Sequence, residues 1–96
     1  MHIFTAIKKV FPNILCHSTT TLEIPVVGSE SVFISITGMI VVIYFGHSQE
    51  VWFDAHSLRY HKFSTPIGRY AAIVDSLLEI FKDYYTPSSV KFIESL

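Results

Sequence analysis

Five histidines and one cysteine are the side chains of this chain best suited to holding a metal or attacking a carbonyl. Zinc signatures pair Cys or His at short spacings, and no such pair occurs. His56 and His61 fall on opposite faces of an extended segment. His17, His47 and His56, each followed by serine, read as turn and surface histidines. Cys16 could act as a nucleophile with a histidine as its base. Its neighbour His17 points away from it on a strand, and no Gly-x-Ser-x-Gly elbow, oxyanion loop or phosphate-cradling glycine run accompanies it. Cys16 is therefore expected to be a partly buried structural thiol. Asp75, Glu79 and Asp83 follow the solvent face of a helix rather than forming an acid–base pair. The expectation is no catalytic residue, no metal ligand and no cofactor, and so no enzyme.

One segment retains binding chemistry. Arg59, His61, Lys62 and Arg69 surround Tyr60, Phe63 and Tyr70 beside the start of a helix. Helix N-termini attract anions, and basic residues interleaved with aromatics can hold single-stranded nucleic acid. Seven basic against eight acidic residues leave a net charge of −1, so no overall field recruits nucleic acid. Arg59, His61, Lys62, Arg69 and Tyr70 stand as candidate partner-binding residues, for a protein first and a nucleic acid second.

The elements that must position these residues are set by apolar patterning. Ser31 to Gln49 holds no Lys, Arg, Asp or Glu. A spanning helix needs ~20 apolar residues, which makes a small membrane protein with a span near 31–46 a further alternative. Ser35, Thr37 and Gly38 interrupt the run, Glu30 and Glu50 flank it without an orienting Lys/Arg bias, and its β-branched and aromatic content suits a sheet. It is read as two strands. Met39 to Phe45 is apolar on both faces, which implies cover on both sides, one of them supplied by a second helix or a second subunit. Upstream, Thr20 to Val27 alternates as a strand, with Pro25 placed at an edge or bulge. Downstream, Val51–Phe53 and Leu58–Phe63 read as further strands separated by turns. A helix is predicted over residues 2–11. A long amphipathic helix is predicted from Ile67 to Tyr85, with Ser64 or Thr65 as N-cap and Pro66 at the first helical position. A short final helix is predicted over 90–96. The fold class is α+β in a single domain, 1–96: an antiparallel β-meander of four to five strands packed against the long C-terminal helix, with a short N-terminal helix.

From Trp52-Phe53-Asp54 through Phe63-Ser64-Thr65-Pro66, the layout resembles small phage-encoded accessory proteins. In these a short β-meander ends in a Ser/Thr-rich turn that caps one long C-terminal helix; here Ser64-Thr65-Pro66 replaces the usual Thr-Thr cap. The resemblance implies a non-enzymatic binder, since some such proteins bind and block host defence or replication proteins, and it assigns no site residues. Composition points the same way. Half the residues are hydrophobic and only 16% are charged, which predicts exposed apolar surface and so a protein partner or a homodimer. A lone cysteine and no secretory signal make the cytoplasm the expected location.

Overall fold

The computed structural model of the protein describes residues 3–85. Helix α1 (Ile3–Val10) leads into six strands: β1 (Leu15–Cys16), β2 (Thr21–Ile24), β3 (Val32–Thr37), β4 (Ile40–Phe45), β5 (Ser48–Asp54) and β6 (Arg59–Lys62). Helix α2 (Arg69–Tyr85) closes the described chain. The strands form one antiparallel sheet in sequence order, so every strand lies beside its neighbour in the chain. Six strands exceed the four to five expected, because β1 has two residues, too few to display an alternation.

Tight turns hold this order. Gly38 and Gly46 each take the first central position of a two-residue hairpin loop, with φ of 60°. A type II′ turn requires positive φ there, and glycine adopts it without a Cβ clash. The charge-free stretch is thus β3, a turn and β4, which replaces the span read near 31–46. No helix among the described residues is long and apolar enough to cross a membrane. Pro25 lies just past the end of β2, an interior strand rather than an edge, at a place where no ladder hydrogen bond is asked of it.

Alternation then divides the sheet. Leu22, Ile34, Ile43 and Val51 are in register across four strands and fully buried. Ile24 and Val32 lie to one side of this row and Val41 and Phe53 to the other, all buried. Both helices cover this face. Ile3 and Ile7 of α1 share one buried cluster with Val74, Leu77, Leu78 and Phe81 of α2 and with the inner strand residues. Phe81 meets Phe53 with ring centroids 5.5 Å apart.

Helix α2 begins at Arg69, two residues later than expected, so Pro66 precedes the helix rather than opening it. Gly68 has a φ of 58°, outside the helical region, so the helix can only start after it. Ile67, expected on the apolar stripe, is 78% exposed for the same reason. The helix predicted over 90–96 lies outside the described residues.

Because Phe81 is the central apolar contact of α2 with the sheet, Phe81→Ala should destabilise the fold by about 3–5 kcal/mol. Val27→Ser, at a 90% exposed position, should change stability by less than about 0.5 kcal/mol. Urea unfolding followed by circular dichroism checks both.

Candidate functional site

The opposite face of the sheet carries the residues between the inner ones. Phe33 and Tyr44 are paired across β3 and β4, and Ser35, Val42, Trp52 and His61 form the next row across β3 to β6. Phe63, just past β6, meets the Trp52 ring edge-on at 5.8 Å and the His61 ring at 4.7 Å. None of Phe33, Val42, Tyr44, Trp52 or Phe63 packs against the helix-covered core. Neither helix lies over this face, where Phe33, Val42 and Tyr44 are half-buried. Trp52 remains 43% and Phe63 53% exposed. Burying aromatic side chains removes 150–250 Å² each from water, so an uncovered group of them is a large apolar exposure for a chain of this size.

Charge is confined to the rim. At the β1–β2 side, His17 Nε2 lies 2.7 Å from Glu23 Oε1, and the imidazole stacks on Phe33 with centroids 6.4 Å apart. The Ser31 hydroxyl and then His17 hold the Glu23 carboxyl below its usual range. At the β5–β6 side, Asp54 pairs in register with Arg59. Asp54 Oδ1 accepts the His56 backbone N–H at 2.9 Å, and this bond lowers its pKa most. Phe33, Ser35, Val42, Tyr44 and Trp52, the described side chains between these rims, are all uncharged.

The candidate residues of the 59–70 segment fall into two places. Arg59, His61 and Lys62 are exposed on edge strand β6, but alternation divides them between faces. His61 lies opposite Trp52 on the outer face. Lys62 lies on the helix side, 3.9 Å from Asp75 Oδ1 and 5.4 Å from the Tyr60 ring centroid. Lys82 of α2 approaches the same ring at 5.5 Å. Arg69 and Tyr70 sit instead at the start of α2, tied to the β2–β3 connection. Arg69 Nη1 donates to the Val27 carbonyl, and the Tyr70 hydroxyl donates to the Glu30 carbonyl. Tyr70 also stacks on Phe45 at 4.7 Å. Both side chains thereby moor the helix to the sheet.

Cys16 is exposed rather than partly buried, because β1 is an edge strand that projects beyond the helices' cover; its thiol donates to the Ser18 carbonyl at 3.2 Å. His17, His47, His56 and His61 are exposed. No group of three or more metal-ligating side chains occurs among the described residues. An open groove of about 710 Å³ runs between α1 and α2, lined by Ala6, Lys9, Val10, Ile80, Asp83, Tyr84 and Tyr85. Burial raises the Tyr85 hydroxyl's pKa, and the described lining residues include no thiol, imidazole or serine hydroxyl to act as a nucleophile. The outer face was the feature hardest to see in the sequence. Its signal was the apolar run of β4, whose second face calls for a cover. Comparison with protein-family models, curated proteins and solved structures finds no match to this chain.

Glu23 and Asp54 both have lowered pKa values in the folded chain, so each adds stability above the unfolded carboxylate pKa that is lost as pH falls through the folded value. NMR titration should place both carboxyls below the ordinary ~4. In His17→Ala the Glu23 carboxyl should move up toward that value while Asp54 stays in place.

Proposed function

We propose that the protein is a non-enzymatic protein-binding module whose contact surface is the outer face of its sheet. The observation that carries this reading is the group Phe33, Val42 and Tyr44, half-buried, and Trp52, 43% exposed, none of which joins the core that the helices cover on the other side. Interface centres are enriched in aromatic residues and depleted in charge, with polar residues at the rim. This face has that distribution. A nucleic-acid surface would need a cationic track beside its stacking rings. Here the rim carries Glu23 and Asp54 as well as Arg59, and Lys62 is on the other side of the sheet. Binding energy in such surfaces concentrates in a few aromatic side chains near the centre, which singles out Tyr44 and Trp52.

The full-length chain, tagged and exposed to a lysate of its source cells, should retain a protein partner, a foreign protein or untagged copies of itself. The Tyr44→Ser/Trp52→Ser variant should retain it at least about tenfold less, the loss expected when hot-spot side chains worth ≥ 2 kcal/mol are removed, with an unchanged far-ultraviolet spectrum. Val27→Ser, at a 90% exposed position away from this face, should bind as the natural chain does. Equal retention by the Tyr44/Trp52 variant, or capture of nucleic acid that nuclease removes, would overturn the reading.

A further inference from the structure

We infer that the groove between α1 and α2 is the seat of this chain's own residues 90–96, docked there as a short amphipathic helix. The inference goes beyond the protein-binding reading, because the groove lies on the helix side of the sheet, opposite Tyr44 and Trp52. Position is the first argument. Lys9 and Val10 form the α1 wall of the groove, and Ile80, Asp83, Tyr84 and Tyr85 form the α2 wall. The second wall is thus the end of α2, and Thr86 follows it directly in the chain. Pro87 brings no N–H to a continuing helix and disfavours helical geometry at Thr86, which predicts a stop there. Residues 86–89 then separate Tyr85 from Val90, a length that joins two antiparallel helices.

Fit is the second argument. At ~1.5 Å per residue the α2 wall, from Ile80 to Tyr85, is ~9 Å long, and a helix over 90–96 is ~10 Å. At about 100° per residue, Val90, Phe92, Ile93 and Leu96 share one side of that helix, and Lys91, Glu94 and Ser95 share the other. Seven residues do not hold a helix alone in water, so the apolar side needs a surface. The groove offers half-buried Ile80 and Val10, the latter 52% exposed. Lys9 and Asp83 carry one charge of each sign, the complement of Glu94 and Lys91. Tethering decides between this segment and a foreign helix. A segment four residues from the groove's edge is held at an effective concentration on the order of millimolar, which a separate molecule must exceed.

NMR on the full, isotope-labelled chain tests the assignment. The Phe92 ring and the Leu96 methyl groups should show nuclear Overhauser contacts to the methyl groups of Val10 and Ile80, whatever the protein concentration. Val10→Asp, at an exposed position, should abolish these contacts and leave the contact between Phe53 and Phe81 in the core unchanged. If that variant does not fold, Phe92→Ser, outside the described core, should shift the Val10 and Ile80 resonances and leave those of Phe53 and Phe81 in place. A natural chain with no contact between residues 90–96 and the groove would overturn the inference. So would contacts that persist in Val10→Asp. Contacts found only between differently labelled copies would also overturn it, because the occupant would then be a second molecule. None of these results bears on retention of a partner through Tyr44 and Trp52.

Discussion

Leu22, Ile34, Ile43 and Val51 form a continuous apolar row across four strands, and each is completely removed from water. Full burial of each such side chain contributes ~1.5–3 kcal/mol, and because side chains alternate with a period of two, a register slip by one residue would expose the whole row. The rest of the structure follows from keeping these residues on one side. The bulge in β5 shows the constraint at work. Ile43 pairs with Val51 but Tyr44 pairs with Gln49, so Glu50 is an extra residue that lets β5 reverse its alternation. Val51 thereby faces the core, where it is fully buried.

One-sided burial also determines the helices. Helix α1 offers Ile3 and Ile7, and α2 offers Val74, Leu77, Leu78 and Phe81; these stripes need an apolar floor and reach it only on the row's side. The start of α2 is linked to the sheet by polar side chains acting on backbone. Arg69 and Tyr70 bond carbonyls of the β2–β3 connection, which brings the helix start to the far side of the sheet from β6. Asn13 does the same for the chain after α1, donating to the Pro25 carbonyl at 3.2 Å.

Most of this architecture was legible because it is written in local patterns. The alternation of Val32, Ile34 and Ile36, the glycine turns, and the three- and four-residue steps of Val74, Leu77, Leu78 and Phe81 each identify an element by themselves. Three features were not local. Strand β1 exists only through its pairing with Glu23 and Leu22. The start of α2 depended on a positive φ at Gly68, a property that no residue pattern announces when glycine also follows a proline and a β-branched residue. The basic-aromatic segment looked continuous from Arg59 to Tyr70, yet its second part is spent on mooring the helix. The outer face was half legible: the uninterrupted apolar run of β4 demanded two covers, but only the tertiary arrangement shows that α1 joins α2 on the same side.

That shared side bears on how the molecule meets others. An antiparallel sheet can leave one face to water when that face is polar. Here the outer positions of the central strands are Phe33, Ser35, Val42, Tyr44 and Trp52, a largely apolar set whose only hydroxyls are those of Ser35 and Tyr44. Sheet edges are the usual hazard in such proteins, and both are blunted, one by its two-residue length and the other by Arg59 and Lys62. Blunted edges leave the outer face as the surface on which the proposed protein contact falls.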